Sequence, residues 1–464
     1  MEIAKQTLKK YWGYDSFREN QEEIINNIIL GKNSLIILST GGGKSICFQL
    51  PALISDGLTI VISPLIALME DQVRNLNNKG IDAMYLNSSL LPQESKKVLI
   101  SIAENKYKII YTSPEKFQSK KFLEIIKKIK ISRIVFDEVH CLSEWGHDFR
   151  PDYKRIGKQI RELNLCNQIV AFTATATSRV RKEIIEILDL KDVFISISSF
   201  DRKNIFIGIK KFITPLGKYL FFKKVLSQSS KTLIYCSTRS ITEFMSAKLS
   251  RKLKIKTGFY HAGCAGIERK NTQEDFKVGN ISCLLATTAF GMGIDISDID
   301  TVIYWNFPSS IEEYYQGIGR AGRNEEVQAK SWMLYNSSDI KLQNNLLSIN
   351  LPTNNILKKV IRSILSLEKE KKIREKFNLS ETIINAITLI LESKDTFKET
   401  EVDKNFIKVI SQDLKKIFDN KKEKFKSLRK LASNKGCKRK YLLEYFGEII
   451  NQENCNNCSY CLKS

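Results

Sequence analysis

No stretch of this 464-residue chain approaches the ~18 consecutive apolar residues that a membrane-spanning helix needs. The N-terminal run Met1-Glu-Ile-Ala-Lys-Gln-Thr-Leu-Lys-Lys lacks an apolar core followed by small residues, so no secretory signal is visible there. No short-period repeat is present either. These absences lead to the expectation of a soluble, cytoplasmic protein with no membrane partner, nucleoid-associated if the source is bacterial. Acidic residues are in short supply: 51 Asp and Glu against 74 Lys and Arg leave a formal charge of +23. That excess points to a polyanionic partner, nucleic acid above all. The competing reading is a solvated basic surface on a chain rich in Lys, Asn and Ile through biased codon usage. A disulfide framework is not expected of ten cysteines in a reducing compartment. Cys47, Cys141, Cys166, Cys236, Cys264 and Cys283 sit among apolar neighbours and read as core thiols, whereas Cys437, Cys455, Cys458 and Cys461 crowd the C-terminus.

The length has room for about three domains of ~150 residues, and 42% hydrophobic residues suffice for real cores. Short apolar runs at 35–38, 58–62, 109–112, 134–136 and 169–172 alternate with helical patterns, and a second series follows at 232–236, 258–261, 282–287, 301–305 and 330–335. Such alternation predicts parallel strands with crossover helices, hence an α/β chain of two doubly wound parallel-sheet lobes meeting near 198–204. Beyond about Leu351 the pattern becomes helical and rich in lysine. Residues 415–440 are dense in Lys and Arg, opposed by Asp419 and Glu423, and read equally as a solvated helix face or a phosphate track. Two helical patterns flank Asn378-Leu-Ser380, with Ser380 as N-cap, and fit a helix-turn-helix or an ordinary helical hairpin. The expected divisions are lobe 1 over 1–200, lobe 2 over 201–345, a basic helical segment over 346–430 and a cysteine module over 431–464.

Leu35-Ile-Ile-Leu38 runs directly into Ser39-Thr-Gly-Gly-Gly-Lys-Ser45. A buried strand, a glycine-rich turn and a helix start, in that order, make a phosphate cradle. Backbone N–H groups of Gly41, Gly42 and Gly43 can face phosphate because no side chain intervenes, Lys44 adds a point charge, and Ser45 offers an oxygen to magnesium. The strict G-x-x-x-x-G-K-[ST] pattern fails at its first position, Leu38, which leaves a plain turn as the alternative. Downstream, Asp137-Glu-Val-His140 places two carboxylates at the end of the strand Ile134-Val-Phe, where Asp137 can hold magnesium and Glu138 can polarise a water. In Gln316-Gly-Ile-Gly-Arg-Ala-Gly-Arg323, two arginines three apart can reach across a cleft to a γ-phosphate or simply bind a surface anion.

The ordered set Phe17-Arg-Glu-Asn-Gln21, Thr40-Gly-Gly-Gly-Lys-Ser45, Ser63-Pro-Leu65, Thr112-Ser-Pro-Glu115, Asp137-Glu-Val-His140, Thr173-Ala-Thr-Ala-Thr177, Tyr235-Cys-Ser-Thr-Arg239, Ala286-Thr-Thr-Ala-Phe-Gly-Met-Gly-Ile-Asp295 and Gln316 through Arg323 resembles the RecQ group of superfamily-two DNA helicases. The resemblance runs from Tyr11 to the C-terminus, with an extra helical segment near 351–430. It implies two RecA-like lobes followed by a helical zinc-binding module, ATP between the lobes and single-stranded DNA across their top. Arg18 and Gln21 would hold the adenine, and Thr40 through Ser45 with magnesium would hold the phosphates. Asp137 would take the magnesium and Glu138 the attacking water, and Arg320 and Arg323, with Gln316 beside them, would meet the transition-state charge. Trp145, His147, Phe149 and Arg150, in Cys141-Leu-Ser-Glu-Trp-Gly-His-Asp-Phe-Arg-Pro151, would report bound DNA to the ATP site through base stacking; an apolar loop packed between the lobes is the alternative.

Cys437, then Cys455-Asn-Asn-Cys458-Ser-Tyr-Cys461, meets the tetrahedral demand of zinc, and the context Leu-Leu-Glu-Tyr-Phe-Gly-Glu resembles the RecQ zinc module. An iron–sulfur spacing is the alternative. Val139 stands where the family usually has alanine. The chain stops three residues after Cys461, so the winged-helix and small helical domains that commonly follow are expected to be absent, with translocation better supported than efficient unwinding. The resemblance implies a DNA-dependent ATPase and 3′-to-5′ helicase acting on single strands and duplex junctions in repair or recombination, with protein partners unidentified. An RNA helicase and a non-catalytic nucleic-acid scaffold are the rival readings.

Overall fold

Strands buried on both faces have no solvent side, so their sequences run apolar without alternation. The strands of the first lobe are β1 (Ser34–Ile37), β2 (Leu58–Ile62), β3 (Ala83–Leu86), β4 (Ile109–Thr112), β5 (Ile131–Phe136), β6 (Ile169–Thr173) and β7 (Phe194–Ile197). Every residue of β1, β2, β4 and β6 is buried. The computed structural model describes residues 1–464 except 40, 144–150, 291–295, 325, 348–350, 367, 369, 394–401 and 464. The first sheet has the order β3-β4-β2-β5-β6-β1-β7, with all pairs parallel. The second lobe holds β8 (Ile205–Lys211), β9 (Thr232–Tyr235), β10 (Thr257–Tyr260), β11 (Cys283–Ala286), β12 (Thr301–Tyr304) and β13 (Ala329–Tyr335), in the order β10-β11-β9-β12-β13-β8, again all parallel.

The two doubly wound lobes expected from the sequence are therefore present. Three strands fall outside the predicted runs, and all three are at sheet edges. β3 and β7 are only half buried. In β8 the apolar run is interrupted by Gly208, where a Cβ would stand 2.3 Å from the Trp332 ring. The glycine that weakens the strand signal is there to admit that indole.

One face of the first sheet is covered by helices Glu2–Trp12, Gln21–Ile29, Lys44–Ile54 and Ile66–Asn77, whose Leu8, Ile24, Leu50 and Met69 share a core with Ile36 and Val61. The opposite face belongs to a core that runs on through Phe136 and Tyr153 into Tyr235, Tyr304 and Tyr314 of the second lobe and on to Phe425, Leu442 and Phe446. Helices Asn354–Leu365, Glu370–Phe377 and Glu381–Ser393 close a separate core with the first half of helix Lys404–Ser433, using Leu357, Val360, Ile384, Ile387, Ile410, Leu414 and Phe418. Ser380 Oγ accepts from Ile383 N at 3.4 Å, the cap read from the sequence. Helix Glu381–Ser393 packs against helices Pro151–Glu162 and Lys404–Ser433. Its Ile383, Ile384, Ala386, Ile387, Ile390 and Leu391 are buried, so the apolar side of the helix points inward as the sequence pattern expects. Helix Lys404–Ser433 is 30 residues long, about 45 Å at 1.5 Å per residue, and runs through residue 430, where the sequence places a domain boundary. Among the described residues no helix is long and apolar enough to cross a membrane.

Candidate functional site

β1 delivers the chain to Gly41 and Gly43, both left-handed with φ of 88° and 76°, and helix Lys44–Ile54 starts at once. A Cβ on Gly43 would lie 2.3 Å from Gln21 Nε2, so this position needs glycine for space as well as for its backbone. Gln21 Nε2 donates to Gly43 O at 3.4 Å, its Oε1 accepts from Arg18 N at 2.9 Å, and Arg18 Nη1 donates to Gly41 O at 2.8 Å. The two residues assigned to adenine thus rest on the glycine loop itself. Ser45, in the first turn of the helix, is half-buried beside it, while Thr40 lies outside the described residues.

β5 ends beside this loop. Lys44 Nζ meets Glu138 Oε1 at 3.1 Å, and His140 Nδ1 lies 3.3 Å from Glu138 Oε2 and 3.0 Å from Thr173 Oγ1. Burial works to raise the Glu138 carboxyl, but Lys44 and His140 outweigh it and hold the group well below the usual carboxylate range. Asp137 is pushed up to about 6 by burial and then by the charge of Glu138. A buried carboxyl in that setting, beside the Glu138 that pairs with Lys44 of the phosphate-type loop, suits a divalent cation, whose charge would relieve both causes. Tyr153 OH donates to Asp137 O at 3.2 Å and ties the acidic turn to helix Pro151–Glu162.

The second lobe completes the cleft. Arg323 O lies 3.7 Å from the place of a Cβ on Gly41, so the backbone of the second arginine abuts the glycine loop of the other lobe. Gln316 Nε2 donates to Thr175 Oγ1 across the interface at 3.4 Å. Arg320 is pushed down to about 10 by burial and then by the neighbouring Arg323 charge, with Glu138 partly offsetting them. One cleft therefore gathers Arg18, Gln21, Lys44, Ser45, Asp137, Glu138, Gln316, Arg320 and Arg323. Trp145, His147, Phe149 and Arg150 lie outside the described residues, as does Asp295. Sequence reading did not single out His140, Thr173 and Thr175, although each stands inside a motif it quoted. Arg202 and Asn204, which donate to Gly322 O between the two arginines, carried no signal at all.

At the C-terminus the sulfurs of Cys437, Cys455, Cys458 and Cys461 all lie within 4.8 Å of one another. That spacing fits thiolates around one tetrahedral ion at Zn–S distances of about 2.3 Å and is tight for a multinuclear cluster. Lys440 N donates to Cys437 Sγ at 3.4 Å, so the first ligand also caps helix Lys438–Tyr445. Asn457 O accepts from Ile207 N at 3.2 Å, and Ser459 N donates to Ile207 O at 2.9 Å, which lays the cysteine turn along the edge strand β8.

The basic run divides in two. Lys424 is paired with Glu312 at 3.7 Å, Lys438 Nζ donates to the carbonyls of Leu431 and Ala432 at 3.1 and 3.3 Å, and Arg439 is buried on the inter-lobe linker. Lys415, Lys422, Lys426 and Arg429, exposed and spaced by three, four or seven residues, share one helix face that is open to a phosphate backbone.

Family comparisons follow the same order along the chain. Residues 18–184 match the family DEAD/DEAH box helicase, 217–325 the Helicase conserved C-terminal domain and 400–462 RecQ zinc-binding. The ATP-dependent DNA helicase RecQ of Haemophilus influenzae is 35% identical over 99% of this chain and 63% of its own length. Its Pasteurella multocida counterpart is 41% identical over 73% of this chain and 53% of its own length, so the chain spans about half to three fifths of these two relatives. The probable ATP-dependent DNA helicase RecS of Bacillus subtilis is 34% identical over 99% of this chain and 92% of its own. The fold is similar to that of the DUF1998 helicase MrfA bound to DNA and AMPPNP, at a TM-score of 0.61 and 19% identity over 75% of this chain and 52% of that one. With a relative matched almost end to end and the lobes and cysteine cluster in matching order, the chain belongs to the RecQ family of ATP-dependent DNA helicases.

Proposed function

We propose that the chain hydrolyses ATP in the cleft between its lobes and uses the cycle to move 3′ to 5′ along single-stranded DNA, serving repair or recombination. The approach of Arg323 to Gly41 carries this reading, because it brings the arginine loop of one lobe against the glycine loop of the other. The glycine loop and Lys44 would seat the phosphates, with Arg18 and Gln21 at the adenine. Asp137 and Ser45 would hold magnesium, which neutralises phosphate charge when bound. Glu138 is kept ionised by Lys44 and His140 and so can orient an attacking water. Arg320 and Arg323 supply positive charge from the facing lobe, so hydrolysis requires lobe closure and product release permits opening. The four cysteines would hold one structural zinc ion.

Steady-state ATP turnover measured with single-stranded DNA, duplex DNA and RNA as activators tests the reading. Single-stranded DNA is expected to stimulate most. Equal stimulation by RNA would reassign the substrate, and DNA binding without turnover would leave a scaffold.

A further inference from the structure

The linker between the lobes is held by the cysteine module at several points: the Glu448 carboxylate accepts from Phe200 N and Ser199 Oγ, Asn457 Nδ2 donates to Lys203 O at 2.8 Å, and a buried arginine reaches it from the helix that begins at the first cysteine. Arg439, only 5% exposed, donates through Nη1 to Arg202 O at 2.8 Å and to the Asp201 carboxylate, and through Nη2 to Ile205 O. These acceptors lie on the linker and on the first residue of β8. Arg202 is buried in turn, and its Nη2 donates to Gly322 O and, at 3.4 Å, to Ala321 O. Asn204 Nδ2 gives Gly322 O a second donor at 2.8 Å. Gly322 is left-handed, with φ of 55°, and a Cβ there would stand 2.6 Å from Asn204 Nδ2, so the loop bearing Arg320 and Arg323 lies directly on the linker. Phe446, at the end of helix Lys438–Tyr445, stacks on Phe200 of the same linker at 4.7 Å between ring centroids.

We propose that Arg439 is a positioning residue for ATP hydrolysis. Through it the cysteine module holds residues 201–205, and these hold the Gly322 carbonyl and so the backbone from which Arg320 and Arg323 reach the cleft. The inference rests on the reading that ATP is hydrolysed in that cleft. A guanidinium stays charged even when buried, so its loss leaves the Asp201 carboxylate and two carbonyls without their shared donor, and of the module's holds the linker keeps those of Phe446, Glu448 and Asn457. Misplacement of a reacting group by about 1 Å can cost on the order of 100-fold in rate, without the nucleotide being bound less well.

The test compares Arg439→Gln, Arg323→Ala and the double variant in the full zinc-loaded chain, reading kcat and KM for ATP with single-stranded DNA, zinc content and thermal midpoint. Arg439→Gln is expected to lower kcat by about 10- to 100-fold with KM for ATP and zinc content kept. The double variant should be slower than Arg323→Ala alone by much less than the factor that Arg439→Gln costs by itself, because only Arg320 is then left on the loop to be misplaced. A kcat at the level of the unmodified chain, or losses that multiply in the double variant, would overturn the proposal. Should Arg439→Gln shed its zinc, Asp201→Asn removes the same pair from the linker side and carries the same expectation, full kcat there being decisive against it. Absence of DNA-stimulated turnover in the unmodified chain would instead count against the ATPase reading itself.

Discussion

Glu138 occupies a left-handed backbone conformation, φ 49°, that a side chain bearing Cβ adopts only at some cost. Lys44 on one oxygen and His140 on the other hold it there, which aims the carboxylate into the cleft instead of along the strand. That Lys44, Asp137, Glu138 and the two arginines would meet at one cleft was legible in the sequence from the order of the motifs that carry them. Lys424, Lys438 and Arg439 were not legible: as letters in a basic run they look like their exposed neighbours, and only burial separates them. Arg323, like Arg320, differs from Lys44, Asp137 and Glu138 in coming from the other lobe, so it should act on the transition state more than on binding. Arg323→Ala is expected to reduce kcat by a factor within the ~10³ to 10⁵ of arginine fingers, with a much smaller change in KM for ATP. A loss under tenfold in a steady-state assay would shift that role to Arg320.

Among the elements, the central strands were read from continuous apolar runs, whereas β3 and β7, only partly buried, and β8, interrupted by Gly208, are short of that signal and were missed. β8 is also the strand on which the C-terminus leans: the turn around Cys458 bridges Ile207 in parallel and shields part of an otherwise open edge. The cysteine module has no core of its own, since Cys437, Leu442, Phe446, Cys458 and Cys461 sit in the core that both lobes share. Thiolate–metal bonds are therefore expected to hold that turn in place, with a contribution on the order of 10 kcal/mol in isolated zinc peptides. One zinc per chain should be found by elemental analysis, and Cys458→Ser should abolish it and make the segment after residue 433 the first site of limited proteolysis. Iron with visible absorption, or a zinc-free chain with unchanged protease resistance, would refute the assignment.

For the molecule as a whole, two sheets of the same build face one cleft, and a long helix crosses from the C-terminal helical core to the core that the lobes share. The duplicated lobe pattern was visible as two series of strand-sized runs. The way the C-terminal helices lock onto helix Pro151–Glu162 and onto the linker was not, because such contacts depend on which faces meet in space. The central claim is that this cleft turns DNA binding into ATP hydrolysis through Glu138. It is tested most directly by measuring ATP turnover with and without single-stranded DNA, alongside DNA affinity, for the unmodified chain and Glu138→Gln. The account predicts DNA-stimulated turnover that falls by at least ~100-fold in the variant while DNA affinity is retained. Turnover in Glu138→Gln close to that of the unmodified chain, or equal loss of DNA binding, would contradict it.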